Sequence, residues 1–309
     1  MQIIDQYGKE SVARVYLGKT NSGKQVEFVD SLQKDIPREK KWVCIISSMI
    51  GCPVGCRFCD AGGFYKGNLS KEDMLEQIDF LVNQYYPDGN IPIEKWKIQF
   101  ARMGEPSFND AVLEVLQELS ARYKAPGLLP SLSSVGPEKG EKFFQQLLEV
   151  KNQLYVGRFQ LQFSIHSTSI EQRNFWIPVK KWTFQQIAEY GKAFKTSRDK
   201  KISLNFAVSR EAVIEPEVLR NVFHPDLFLI KMTPINPTHT SVLHQVRNDM
   251  HIETGALYSH PKLVEELRGV GYEVILSIGN PEENDIGSNC GQYARKHLMA
   301  NGGENQEKE

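Results

Sequence analysis

The sequence predicts an α/β protein built on a parallel sheet that is either open or curled into a partial barrel. Six apolar strand-like runs alternate with helix-like runs through the centre of the chain, and a seventh strand follows the last helix. No long linker rich in Gly, Ser or Pro interrupts this alternation. The length of 309 residues and the formal charge of −1 are typical of a globular chain with one large or two small domains.

The first part of the chain differs from the rest. Its segment VARVYLGKTNSGKQVEFVDS has two runs of alternating apolar and polar residues joined by a polar turn. This pattern predicts a β-hairpin within residues 1–38, followed by the alternating elements in 39–300 and a disordered polar tail at 301–309. The predicted strands cover 42–48, 97–101, 131–135, 161–166, 202–208, 227–233 and 272–278. The predicted helices cover 70–85, 109–123, 137–151, 183–196, 215–223 and 261–270. Ser70 and Asp73 predict a capping box at the start of the first helix.

Three of the five cysteines, Cys52, Cys56 and Cys59, lie in the loop GCPVGCRFCDAGG that follows the first of these strands. An odd cysteine count in a long chain, with no signal peptide before Met1, argues against a disulfide scaffold and favours the reducing cytoplasm. A structural zinc site usually takes four ligands in two close pairs, and no second pair lies near this loop. Three thiolates suit an iron–sulfur cluster with one open iron better, and zinc stays an alternative.

Small and polar residues also follow the carboxyl ends of the other predicted strands. In parallel α/β folds these ends meet on one rim, where the active site lies. The residues at these ends include Gly104, Glu105, Ser133, Ser164, His166 and Asn236. Each of them alone fits an ordinary turn or core position, but their recurrence at successive strands predicts a cofactor pocket beside the cysteine loop.

Charge and hydropathy argue against two broad classes of protein. The near-neutral balance disfavours non-specific nucleic-acid binding over a large cationic surface, although it leaves room for a local basic patch. Lysines and arginines collect at 34–41 and 180–181, where a solvated face is the simpler interpretation. No apolar run approaches the length of a membrane span, so we expect no membrane partner.

The spacing Cys-x3-Cys-x2-Cys, with Phe58 before the last cysteine, resembles the signature of radical S-adenosylmethionine (SAM) enzymes. More narrowly, residues 10–295 resemble the RlmN/Cfr family of radical SAM methyltransferases. The matching segments, in family order, are SGKQVEFV, SSMIGCPVGCRFC, GNLSKEDMLEQI, MGEPSFN, SSVG, FSIHSTSIEQRNFWIPVKK, INPTHTS and NDIGSNCGQ. This resemblance implies a partial (β/α)6 radical SAM barrel and methylation of an electron-poor adenine carbon in ribosomal or transfer RNA.

The resemblance also implies a role for each matching residue. Cys52, Cys56 and Cys59 would bind a [4Fe–4S] cluster that holds SAM, and a donor such as flavodoxin would supply electrons to a monomeric enzyme. The implied SAM contacts are Gly104, Glu105, Ser133, Ser164, His166 and Asn236. Cys290 would carry the methyl group, and Glu27 would accept the proton of the adenine ring.

In this family a cysteine carries the methyl group, because the adenine carbon is too electron-poor to attack the methyl group of SAM. A cysteine thiolate attacks that methyl group readily. A radical on the S-methyl group adds to the ring, and a second, resolving cysteine then closes a disulfide to release the product. Here the resolving position is Ile45, and the candidate Cys44 stands one step earlier. Because one step along a strand reverses the side chain, we expect the Cys44 thiol in the sheet core.

Two further departures concern the substrate. The helical accessory domain that precedes the hairpin in the family has no counterpart here, and the acidic segment SIGNPEEN replaces expected arginines. An RlmN-like enzyme acting on a small molecule or peptide is therefore an alternative. A non-catalytic, metal-binding nucleic-acid binding protein is another, but it would leave Glu105 and the other polar strand ends without a purpose.

Overall fold

The computed structural model of the chain describes residues 1–288. Its strands are β1 (Gln2–Lys9), β2 (Ala13–Lys19), β3 (Gln25–Ser31), β4 (Trp42–Ile46), β5 (Met49–Ile50), β6 (Gly67–Asn68), β7 (Trp96–Phe100), β8 (Leu128–Ser134), β9 (Gln160–Ser164), β10 (Ile202–Val208), β11 (Phe228–Pro234) and β12 (Val274–Leu276). Its helices are α1 (Lys71–Tyr85), α2 (Ala111–Arg122), α3 (Glu141–Leu154), α4 (Ile170–Trp176), α5 (Phe184–Phe194), α6 (Pro216–Val222), α7 (His239–Leu243), α8 (Leu263–Gly269) and α9 (Glu282–Ile286). The predicted tail 301–309 and Cys290 lie outside the described residues.

Ten strands form one sheet in the order β1-β2-β3-β4-β7-β8-β9-β10-β11-β12 within the described part of the chain. From β4 to β12, neighbouring strands run parallel, and at least one helix connects each strand to the next. This sequential order confirms the α/β class and the mostly parallel sheet. It also brings the carboxyl ends of successive strands to one edge.

The first three strands form an antiparallel meander that extends the same sheet, because β3 pairs antiparallel with β4. β2 and β3 are the predicted hairpin. The sequence analysis did not predict β1, whose mostly exposed side chains carry little apolar periodicity. The short pair β5 and β6 frames the cysteine loop.

One face of the sheet packs on the helices, and the other face is polar. On the helix side, Trp42 and Trp96 stack with ring centroids 5.7 Å apart in the main apolar core. Alternate side chains of four neighbouring strands point the opposite way, into a cavity: Gln99, Ser133, Gln162 and Asn205. Since side chains alternate along a strand, each strand contributes to both the core and the cavity.

The helix boundaries follow local signals. α1 begins after Ser70, whose hydroxyl accepts the Asp73 N–H in the predicted capping box. The sequence analysis missed the short helices α4, α7 and α9, which span five to seven residues each and show no extended apolar face. Among the described residues, no helix combines the length and the apolar composition needed to cross a membrane.

Candidate active site

A cavity of about 820 Å³ lies on the polar face of the sheet and reaches the carboxyl ends of the strands. All nine residues predicted to bind the cluster or SAM line it: Cys52, Cys56, Cys59, Gly104, Glu105, Ser133, Ser164, His166 and Asn236. The sequential topology explains this convergence, because each residue follows or ends a strand of the parallel array. Glu27 and Cys44 do not line this cavity.

The cysteine loop is held by hydrogen bonds to segments on two sides. The Arg57 backbone N–H donates to the carbonyl oxygen of Trp176, at the end of α4, over 3.0 Å. On the other side, the Asp60 carboxylate accepts the backbone N–H groups of His239 (3.0 Å) and Thr240 (2.8 Å). α4 and the segment after β11 therefore fix the loop in place before any ligand binds.

The three thiols of this loop affect one another. Burial raises the pKa of Cys56 well above its ordinary value, and the neighbouring Cys59 and Cys52 raise it further. Burial also raises the pKa of Cys52 to about 11. Within residues 1–288, no three His, Cys, Asp or Glu side chains are arranged to hold a single metal ion. The donor set fits a [4Fe–4S] cluster, in which three thiolates leave one iron without a protein ligand.

Gly104 makes the turn that leads from β7 into the cavity. Its φ is +106°, and a Cβ there would lie 2.7 Å from the Cβ of Met49 and 2.8 Å from the Oγ of Ser48. Any side chain would therefore collide with the segment before the cysteine loop, and the positive φ would add strain. Glycine brings the backbone close to the cavity and directs the next residue into it.

Glu105 is a buried carboxylate with both oxygens hydrogen-bonded. Its Oε1 accepts the Ser107 hydroxyl (2.7 Å) and N–H (3.1 Å), and its Oε2 accepts the Val135 N–H (2.9 Å). Burial raises the pKa of Glu105, against the opposing effect of these hydrogen bonds. An ammonium group bound in the cavity would offset this burial cost, so the site is suited to a cation.

His166 is a neutral imidazole at the end of β9. Its Nδ1 accepts the Ala207 N–H at 2.9 Å, so the ring proton must lie on Nε2. Burial is the main cause that lowers the His166 pKa to about 3. The ring meets the edge of Phe58 at a centroid distance of 4.8 Å, and its backbone φ of +63° is rare outside glycine. His166 thus joins the cysteine loop to the sheet.

Ser133 and Asn236, two of the remaining predicted SAM contacts, are held by their neighbours. Ser133 accepts a hydrogen bond from Gln162 Nε2 at 3.2 Å. The Asn236 carbonyl accepts the Thr238 N–H at 2.8 Å and the Ser241 hydroxyl at 3.0 Å. These bonds give the segment after β11 a fixed turn at the rim of the cavity.

Cys44 lies in the apolar core, as the register argument predicted. It is fully buried, and its Sγ accepts a hydrogen bond from Trp96 Nε1 at 3.4 Å. Its neighbour Ile45, on the opposite face of β4, lines the cavity instead. Burial raises the Cys44 pKa well above its ordinary value, which disfavours the reactive thiolate. We therefore do not propose Cys44 as a catalytic residue in this conformation.

Arg102 is a site residue that the sequence analysis missed. Its buried guanidinium forms an ion pair with the fully buried Glu27 and lines the cavity. It also donates to the carbonyl oxygens of Ser288 (2.5 Å) and Gly287 (2.7 Å), the last described residues before Cys290. In the sequence, Arg102 appears only as a lone arginine between strand β7 and the turn at Gly104.

No family model matches the chain, but curated relatives do. A probable dual-specificity RNA methyltransferase RlmN of Desulfitobacterium hafniense strain Y51 is 28% identical and covers 84% of this chain and 69% of its own length. The dual-specificity RNA methyltransferase RlmN of Aliarcobacter butzleri is 27% identical, over 97% of this chain and 82% of its own. The chain is a relative of the RlmN proteins. The resemblance predicted from the motifs is confirmed.

The same relationship extends to a probable RlmN of Chlorobium phaeobacteroides, which is 26% identical over 84% of this chain and 69% of its own. A crystal structure of a radical SAM methyltransferase from Sphaerobacter thermophilus superimposes on this RlmN relative with a TM-score of 0.67. It covers 94% of this chain and 80% of its own at 18% identity. That likeness shows a shared fold.

Proposed function

We propose that this RlmN relative is a radical SAM methyltransferase that moves a methyl group through Cys290 to an electron-poor adenine carbon of RNA. One observation carries the proposal: the three loop cysteines and the six polar or small strand-end residues line one cavity. The relatives are named RNA methyltransferases, which supports RNA as the substrate and methyl as the transferred group.

The architecture proposed with this function is a partial (β/α)6 barrel over 39–300, preceded by an N-terminal extension over 1–38. The sequential parallel order of β4 to β12 and the fold shared with a radical SAM methyltransferase support it. We also propose a reducing cytoplasmic setting, supported by four free thiols among the described residues. A flavodoxin-like electron donor and a monomeric state complete the proposal.

Cys52, Cys56 and Cys59 would hold the cluster as thiolates, so cluster binding would release their protons. A cluster bound there would leave one iron for SAM and, once reduced by the electron donor, would supply the electron that cleaves the sulfonium bond of SAM. The Glu105 carboxylate, with its oxygens already oriented by Ser107 and Val135, would accept the SAM ammonium group. The backbone of Gly104 and the side chains of Ser133, Ser164, His166 and Asn236 would hold the rest of the molecule.

Glu27 and Arg102 would act on the segment that carries Cys290. Arg102 holds the carbonyl groups of Gly287 and Ser288, and Glu27 holds Arg102. We infer that this pair fixes the backbone at Gly287 and Ser288, just before the methyl-carrying Cys290. The proton-acceptor role of Glu27 would further require that its carboxylate separate from Arg102 and reach the cavity.

The test is mass spectrometry of Cys290 after anaerobic reconstitution of the protein with iron and sulfide, followed by incubation with SAM and a one-electron reductant. We expect one added methyl group on Cys290, cleavage of SAM to 5′-deoxyadenosine, and methyladenine in added ribosomal or transfer RNA. Cys56→Ala should abolish both the visible absorbance of the cluster and SAM cleavage. A full cluster in this variant, or an unmodified Cys290 in an active wild-type protein, would refute the proposal.

A further inference from the structure

The cavity has a second chemical feature, a group of lysine side chains that line it. Lys97 and Lys231 project from β7 and β11, and Lys41 and Lys95 lie just before β4 and β7. Along β7, Lys97 precedes Ala101 by four residues, or about 13 Å of strand. Lys97 is therefore separated from the end of β7, whereas Lys231 pairs with Asn205 and, through it, lies level with Ser164 at the end of β9.

The segment 34–41 was interpreted from sequence as a solvated face, and the structure corrects this in part. Lys41 lines the cavity and donates to the side-chain oxygen of Gln33. The turn between β3 and β4 brings it beside the amino ends of the parallel strands. A cluster drawn from three separate stretches of sequence leaves no local signal.

The lysine cluster, meaning Lys41, Lys95, Lys97 and Lys231, has no acidic partner among the described residues. The charges that act on Lys97 are those of Lys231, Lys41 and Lys95, and the charge that acts on Lys231 is that of Lys41. Within residues 1–288, the Lys97 amine also makes no hydrogen bond, whereas Lys231 donates to Gln162 Oε1 at 3.3 Å. Positive charges therefore converge here without compensation.

Placing these lysine side chains together in the cavity costs free energy when no ligand is bound. Burial lowers the pKa of Lys97 well below its ordinary value and that of Lys231 to about 8, and the neighbouring lysines lower both further. Buried charges in proteins are normally paired or bound to a ligand of opposite sign. A cavity of about 820 Å³ is also large for one ligand, since such pockets span about 300–1,000 Å³.

We propose that the lysine cluster binds the phosphate group of a nucleotide-sized ligand, alongside SAM in the same cavity. Several convergent ammonium groups match a multivalent oxyanion, for which lysine serves as a point charge. Gln160 and Ser203 line the same region and add uncharged donors. The inference rests on the SAM site of the proposed function but not on methyl transfer. A free nucleotide and the phosphorylated end of an RNA strand offer the same chemistry, and the experiment separates them.

The test is binding to the anaerobically reconstituted protein saturated with S-adenosylhomocysteine, which occupies the SAM contacts. Calorimetry and thermal unfolding would be measured with inorganic phosphate, AMP and adenosine, and with a short RNA bearing either a 5′-phosphate or a 5′-hydroxyl. Phosphate and AMP should bind and raise Tm, while adenosine should not. AMP binding at least as tight as that of the 5′-phosphorylated RNA identifies a free nucleotide, and tighter binding of the 5′-phosphorylated RNA than of AMP or of the 5′-hydroxyl RNA identifies a strand end.

Two lysine variants test whether these side chains bind the phosphate group. Lys97→Met and Lys231→Met should each raise the Kd for the phosphate-bearing ligand about tenfold or more, equivalent to about 1.4 kcal/mol per tenfold. Each should also raise Tm without the ligand, because an amine that is half-buried beside other lysines is removed. Lys192→Met, on the exposed side of α5, should change neither quantity.

The opposite signs of these two effects distinguish a binding site from a structural cluster. A lower Tm for Lys97→Met without ligand would show that the amine has a stabilising partner, and would overturn the inference. The same follows if none of the phosphate-bearing probes binds the wild-type protein, or if both lysine variants keep the wild-type Kd.

Discussion

Arg102→Met tests whether the buried pair with Glu27 positions the methyl-carrying segment. The change removes the guanidinium from an ion pair whose side chains are 1% and 0% exposed. Breaking a buried pair in this way costs about 3–5 kcal/mol. It also removes the hydrogen bonds to Gly287 and Ser288.

This cost converts into a measurable change in Tm. For 309 residues at about 2.1 cal/mol/K each, the unfolding entropy is about 0.65 kcal/mol/K. A loss of about 3–5 kcal/mol therefore lowers Tm by about 5–8 °C. The double variant Glu27→Gln with Arg102→Met should recover much of this loss, because it removes both charges of the buried pair together.

The assay that separates positioning from folding compares two activities of the same sample below its Tm. SAM cleavage by Arg102→Met should stay near the wild-type rate, because the cluster and SAM contacts are made by other residues. Methylation of Cys290, measured by mass spectrometry, should fall severely in Arg102→Met. It should also stay low in the double variant Glu27→Gln with Arg102→Met, even though the Tm of that variant recovers. An unchanged Tm together with wild-type methylation of Cys290 would refute the reasoning.

Three further predictions follow from the buried groups of the site. Glu105→Gln should weaken SAM binding about tenfold or more and change the iron content little, since a charge-assisted hydrogen bond is worth about 1.5–3 kcal/mol. An unchanged affinity for SAM, measured by calorimetry, would exclude Glu105 from the SAM pocket. Cys44→Ala should leave turnover nearly intact, and a protein–RNA adduct accumulating in gel analysis would contradict this. Burial lowers the folded-state pKa of His166 to about 3, below its unfolded value of about 6.5, so its contribution to stability is lost as pH falls through this window. His166→Asn should therefore reduce the acid-side slope of unfolding free energy by about 1.4 kcal/mol per pH unit in chemical denaturation, whereas an identical slope would mean that His166 titrates normally.

The parallel sheet could be predicted because its strands are short apolar runs separated by helices, and that order leaves few topologies. The predicted strand at 202–208 matches β10 at both ends, and the one at 97–101 lies one residue from β7. The polar strand ends could be placed in one cavity for the same reason. β1 and α4 could not be predicted, because their mostly exposed side chains lack a clear apolar period.

The pairing of Glu27 with Arg102 and the convergence of the lysines depend on contacts between distant segments. Sequence identifies each as a charged residue, and a charged residue is most often solvated. These charged side chains meet because the sheet order places β3 beside β4 and β4 beside β7. The same limit does not apply to Cys44, because strand alternation alone predicts which face its side chain takes.

The position of Cys44 constrains how the product leaves. Cys52, Cys56 and Cys59 are the proposed cluster ligands, so Cys44 is the remaining thiol among residues 1–288. Turning it towards the cavity by a one-residue slip of β4 would also expose Trp42 and Ile46, which are fully buried.

Exposing two such large apolar side chains costs about 1.5–3 kcal/mol each, before the loss of the Trp42–Trp96 stack and of strand pairing on both sides. That is a large part of the about 5–15 kcal/mol that stabilises a typical protein. Cys44 therefore cannot serve as a resolving cysteine through a modest shift of β4. If the tethered intermediate forms on Cys290, its release must use a route other than a disulfide with Cys44.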